Sequence, residues 1–181
     1  LMSGAPASRG GAVATAVSAD EFKAAFRGHP GGVSLITAVG ADGPVALTAT
    51  SVTSVSADPP MLVFSVSTIS SSHAALTSCD TVVVHLLAAE HQRLAAPGAT
   101  SGIDRFADTA LWHSLPTGEP VFHGPRWLRA RVLERIPAGT ATVLVAEVVE
   151  TALRANDGHG LVYVDRTWHH IGEHSMAPVG D

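Results

Sequence analysis

Cysteine occurs once in this chain, at position 79, so neither an intrachain disulfide nor a cysteine-built metal centre is available. A reducing cytoplasm is the simplest setting for such a chain. Lysine also occurs once, at position 23, and charged residues make up only 15% of the sequence, with a net charge of -5. A nucleic-acid binder would show a basic stripe, and none is present. No apolar run approaches the ~20 residues needed to cross a bilayer. Dinucleotide and phosphate loops of the G-x-G-x-x-G and Walker types are missing, as is a G-x-S-x-G elbow, which excludes Rossmann, P-loop and serine-hydrolase chemistry. His169, His170 and His174 lie close in sequence, but no H-E-x-x-H spacing or carboxylate frames them, so no metal site is expected.

What is present is hydrophobic residue, 46% of the total, in 181 residues, enough for one domain with a real core. Residues 1–17 are rich in Ala, Gly and Ser without a basic start and apolar block, and read as a tail. The domain is expected over residues 18–173, with a second tail at 174–181. Ser18 and Glu21 form a capping-box pattern, and Phe22, Ala25 and Phe26 follow at helical spacing. Gly28 and Pro30 stop this helix, which is expected to lay both phenylalanines on a sheet.

Residues 33–39 (VSLITAV) read as a strand, and Asp42-Gly43 as a hairpin turn into residues 45–67. That segment has the content of three strands but carries Thr48, Thr50, Ser51, Thr53, Ser54 and Ser56, then Ser65 and Ser67 beyond an Asp58-Pro59-Pro60 break. Small hydroxyl side chains let a ligand approach the backbone and collect hydrogen bonds. Ser70, Ser71 and Ser72 follow as N-cap candidates for a short helix whose free N–H groups suit a phosphate. TVVVHLL, residues 81–87, reads as a buried central strand interrupted by His85. Residues 88–96 read as a helix, 97–102 as a flexible loop, and 112–125 as a surface wrap. Strands are expected over 127–136, 140–151, 161–164 and 167–171. About eight short strands with two or three short helices make a mostly β, antiparallel barrel.

The ordered blocks GGVSLITA, LTATSVTSVSADPPMLVFSV, the serine-rich turn, TVVVHLL, DRF and GHGLVYVDRTWHHI resemble the flavin reductase-like family over residues 22–171. The resemblance implies an FMN-binding split β-barrel and an NAD(P)H-dependent flavin reductase. It further implies a homodimer that takes FMN or FAD with NADH or NADPH and serves a partner monooxygenase, without nucleic acid or membrane. Matched position by position, Thr48, Ala49, Thr50 and Ser51 line the ring and ribityl part. Ser65, Val66 and Ser67 continue that wall, and Ser70 and Ser72 hold the phosphate. Arg105 and Phe106 of the DRF block, His85, and Trp168 as a stacking partner complete the expected cofactor set. Two positions depart from the family pattern: His85 stands where Asn is frequent, and Ala141 stands where a Gly-x-His turn would carry its histidine. His159, in Gly158-His159-Gly160, is the remaining candidate for the nicotinamide side. The alternative reading is a flavin carrier or electron-transfer protein without efficient NAD(P)H oxidation.

Overall fold

The computed structural model describes residues 16–96, 104–153 and 158–178. The expected loop at 97–102, Asn156 and Asp157, and most of the N-terminal tail lie outside these. The first described element is α1 (Ala19–Arg27), with the capping box formed. The Ser18 N–H donates to Glu21 Oε2 at 2.9 Å, and the Glu21 N–H donates to Ser18 Oγ at 3.2 Å. The expectation for its phenylalanines fails. Phe22 and Phe26 remain 59% and 58% exposed, and no α1 residue is buried. The helix is anchored by backbone instead, with the Asp165 N–H donating to the Arg27 carbonyl at 2.8 Å.

Twelve strands follow among the described residues, not eight: β1 (Gly31–Gly32), β2 (Ser34–Gly40), β3 (Gly43–Ala49), β4 (Thr53–Ala57), β5 (Pro60–Ser67), β6 (Thr81–Leu86), β7 (Trp112–Ser114), β8 (Pro120–Phe122), β9 (Arg126–Ala138), β10 (Ala141–Ala152), β11 (Gly160–Val164) and β12 (Thr167–Ile171). Seven form one sheet in the order β3-β2-β6-β9-β10-β5-β4, with every pairing antiparallel. Since β3 runs directly into β4, the two ends of the sheet are joined by residues 50–52, and the sheet must curl. The concave side holds Ile36, Phe64, Leu76, Val82, Val84 and Leu144, all 1% exposed or less. Each such burial contributes roughly 1.5–3 kcal/mol.

Strand periodicity turns alternate residues outward, and a second layer covers part of that convex face. Leu35 of β2 packs there with Leu87, Leu94, Phe122 and Leu161. The covering elements are the β1-β11-β12 sheet, the β7-β8 hairpin and α3 (Gln92–Ala95). The expected surface wrap at 112–125 is therefore corrected. Val121 and Phe122 are 2% exposed, because their strand closes the second core. The helix expected over 88–96 is a 3-10 turn, Ala89–His91, followed by the single turn of α3. The expected C-terminal tail begins later than 174, since Glu173–Ser175 is a 3-10 turn. Cys79, the half-buried C-cap of α2 (His73–Ser78), has its thiol pKa pushed up by burial, with Arg135 opposing.

Candidate functional site

The sheet ends on β3 at one side and β4 at the other, so a seam runs between β3 and the β4-β5 hairpin without a ladder of its own. Hydroxyl side chains span it. Ser51 Oγ accepts the Ser65 N–H at 3.0 Å and lies 3.3 Å from the Ser65 carbonyl, to which it donates. It supplies the pairing that β4 would give if the strand began two residues earlier. At the other end Ser72 Oγ donates to the Ala46 carbonyl at 3.2 Å, pinning the serine-rich turn to β3. Thr48 Oγ1 donates to the Ala95 carbonyl at 3.1 Å, tying β3 to α3. Thr50 lies against Gly31, where an added Cβ would come within 2.7 Å of the Thr50 Cβ.

Around these structural ties stand hydroxyls still able to donate. Those of Thr50, Ser67 and Ser70 have no acceptor among the described residues; Ser67 and Ser70 only receive backbone N–H groups, from Ile69 at 3.5 Å and Ser72 at 3.2 Å. Ser65 and Ser67 face outward from β5, whereas Val66 between them is 1% exposed and points into the core. Only the backbone of Val66 belongs to the seam. Ala49 likewise is buried and packs inward. The helix after the serines spans six residues, and the Ser72 side chain makes no capping bond. The expected helix-start cradle is thus reduced to serine hydroxyls in the turn.

His85 is not available to a ligand. It is fully buried, with Nδ1 2.9 Å from the Leu35 carbonyl and Nε2 accepting the Phe122 N–H at 3.0 Å. Those partners fix the neutral tautomer with hydrogen on Nδ1, and burial, the dominant cause, lowers its pKa to about 4. Phe106 is a packing residue of the second core, with its ring 5.1 Å from Trp112 and 5.4 Å from Phe122. Trp168 packs on Tyr163 at 4.7 Å in the same layer. His159 stands in a histidine cluster, its ring 5.9 Å from His170 and 6.2 Å from His174. Among the described residues no group of three or more His, Cys, Asp or Glu is placed to hold a metal ion.

Arg105 is the most suggestive of the predicted set. Its Nη1 is buried without a hydrogen-bond partner, and burial pushes its pKa down. It lines a groove of about 210 Å³ with Arg93, Leu94 and Asp104. The wall shared with the seam is α3, because Leu94 lines this groove while Ala95 receives the Thr48 hydroxyl. A buried guanidinium with an unmet donor fits an anionic oxygen, and phosphate offers one. Arg93 was missed from sequence; a lone arginine in a polar stretch gives no spacing signal. Gly31 was missed as well, since its need to be small arises only from the approach of Thr50.

A family model described as "Flavin reductase like domain" matches residues 26–172. The chain belongs to that family. It is 42% identical over 146 residues to an NADH:FMN oxidoreductase of Rhodococcus erythropolis, covering 80% of this chain and 76% of that one. It is 34% identical over 151 residues to the reductase component of a 4-nitrophenol 4-monooxygenase/4-nitrocatechol 2-monooxygenase of Rhodococcus opacus, covering 78% and 77%. The solved structure of a flavin reductase domain protein from Arthrobacter sp. FB24 superposes with a TM-score of 0.80 at 31% identity, covering 90% of this chain and 98% of that one.

Proposed function

We propose that this chain is an NAD(P)H-dependent flavin reductase that binds FMN or FAD along the seam between β3 and the β4-β5 hairpin. The observation that carries this reading is the donor set around the seam: uncommitted hydroxyls at Thr50, Ser67 and Ser70, with the unpaired Nη1 of Arg105 beyond α3. A flavin when bound supplies the hydride-accepting chemistry. The chain's own residues bind and orient. Ser51 and Ser72 hold the two sides of the seam at a fixed spacing, so the hydroxyls meet a ligand without first being ordered. Thr50 and Ser67 present donors to a flat ring, and Thr48 and Ser65 add small side chains beside it. Ser70 and Arg105 favour a phosphate. Holding nicotinamide and flavin face to face makes the transfer effectively unimolecular, which is a rate gain that requires no protein nucleophile.

The product, reduced flavin, serves a partner monooxygenase in the reducing cytoplasm. Val55, Ile136 and Val149 are exposed on β4, β9 and β10, and this apolar outer face supports a homodimer. The decisive experiment is an anaerobic titration of the purified protein with NADH and NADPH, in the presence of FMN and of FAD. Flavin-dependent oxidation of one nicotinamide is expected, and its absence in all four combinations would overturn the reading. Ala141, in the position where the family pattern has histidine, favours the second reading of a flavin carrier. A yellow protein whose colour neither nicotinamide bleaches is the outcome that selects it.

A further inference from the structure

The unpartnered face of α1 opens onto a groove of about 350 Å³ that the seam does not explain. One wall is Phe22 and Phe26, with ring centroids 4.8 Å apart and both rings more than half exposed. The β11-β12 hairpin lines the groove with Tyr163 and Arg166, and His29 and the seam's Thr50 line it too. Lys23, the chain's sole lysine, lines it with Arg27 and Arg166. Asp165 is its one carboxylate, and none of the three cations is ion-paired among the described residues. A cationic groove with two aromatic faces is unexpected in a chain of net charge -5.

The hairpin tip is also held in a costly shape. Asp165 and Arg166 have φ of 47° and 60°, a left-handed pair that glycine or asparagine would adopt more readily. The bond from the Asp165 N–H to the Arg27 carbonyl fixes that tip against α1. Arg166 is thereby presented to the groove by backbone geometry that a looser turn would not maintain, and strain of this kind persists where the surroundings over-determine it.

We propose that this groove takes the adenosine diphosphate half of a dinucleotide, with the adenine on Phe22 and Phe26 and the phosphates between Lys23 and Arg166. The inference rests on the flavin-reductase reading, because Thr50 joins the groove to the seam and so lets one extended ligand occupy both. Both FAD and a nicotinamide dinucleotide carry this half, whereas FMN does not.

The test begins with ADP itself, titrated calorimetrically into the flavin-free protein, into a Lys23→Ala/Arg166→Gly variant and into Phe26→Ser. Glycine accepts the hairpin's φ, so Arg166→Gly removes the cation without disturbing the turn. The inference predicts measurable ADP binding weakened about ten-fold in the double variant, the scale of losing hydrogen bonds to a charged group. FMN affinity should stay unchanged in both variants. If FAD is the source, the preference for FAD over FMN falls in parallel. If the nicotinamide nucleotide is the source, the KM for NADH rises at saturating FMN. ADP binding that is absent, or equal in all three proteins, overturns the proposal. So does a shift in oligomeric state for Phe26→Ser with no ADP binding, which would assign the face to a second copy. Arg166-dependent ADP binding in a protein that oxidises no nicotinamide leaves the groove standing and removes the reductase reading instead.

Discussion

Acid should destabilise this protein through His85 before any carboxylate is involved. The imidazole is buried with both nitrogens engaged, Nδ1 on the Leu35 carbonyl and Nε2 on the Phe122 N–H. A second proton on Nε2 would set two hydrogens against each other. Burial lowers the folded-state pKa to about 4 from an ordinary value of 6.5. The unfolded chain therefore takes up the proton first, and the stability conferred by the neutral ring is lost as pH falls from 6.5 to 4. Linkage gives a loss of about 2 kcal/mol between pH 7 and pH 5. Urea unfolding at those two pH values reads it directly, as a fall in the midpoint of roughly 1 M. His85→Asn should be less stable at pH 7 by about 1–3 kcal/mol, since the shorter amide cannot span both partners. Its midpoint should then change little down to pH 5. Parallel falls for the two proteins would refute the argument. So would NMR signals of the His85 ring titrating near pH 6.5 in the folded wild type, a measurement that does not require the variant to fold.

Glu119 is 3% exposed and accepts from Thr81, Thr117 and Arg129 Nε, the last at 2.8 Å. Burial raises its pKa, but the hydrogen bonds from Thr117 and Thr81 and from Arg129 outweigh it and hold the carboxyl below 4.5. The stability it contributes is present above its unfolded value and lost only below about pH 4.5, separable from the His85 window in the same urea series. Glu119→Gln should cost roughly 3 kcal/mol, seen as a lower Tm, because Arg129 is left without its charge partner. Ser51→Ala removes both bonds to Ser65, so a loss of about 1–2 kcal/mol is expected together with weaker FMN binding by fluorescence titration. Unchanged FMN affinity in a folded Ser51→Ala would show that seam spacing does not govern binding. Ala141→His should raise NAD(P)H turnover with FMN affinity unaltered, and an unchanged rate would remove Ala141 as the limiting position.

Local chemistry carried much of this structure into view. The capping box at Ser18 and Glu21 involves residues three apart, and it forms as the spacing predicts. The three strands in residues 45–67 and the final strand over Thr167–Ile171 follow from β-formers bounded by turn residues. What failed depends on which surfaces meet. Phe22 and Phe26 have the spacing of a core face, yet nothing in the sequence says whether a partner surface exists. Val121 and Phe122 sit among proline, glycine and histidine, so their burial, with Phe122 in the second core, shows no periodicity. The family resemblance alone places His85 in the cofactor set, whereas a polar group in an apolar strand demands a partner of its own. It does have two, both backbone groups contributed by β2 and β8, which no local pattern could pair with it.

The same distinction separates binding from turnover. The seam's hydroxyls are concentrated in residues 48–72, so the proposed binding surface is legible as composition, although its ties reach from Ser72 to Ala46 and from Thr48 to Ala95. The position where the family pattern carries histidine meets the seam only through long-range register. Ala141 stands opposite Ser67 on β5 and opposite Ala138 on β9. Its turn is fastened to the serine segment, since the Thr68 N–H and Oγ1 both donate to the Thr140 carbonyl, at 3.0 and 3.1 Å. A side chain at 141 is thus held beside Ser67 by backbone that neither residue determines. That attachment makes the Ala141→His comparison clean: the imidazole would arrive at the edge of the seam on an existing frame, and any change in rate would belong to the ring and not to a rebuilt strand.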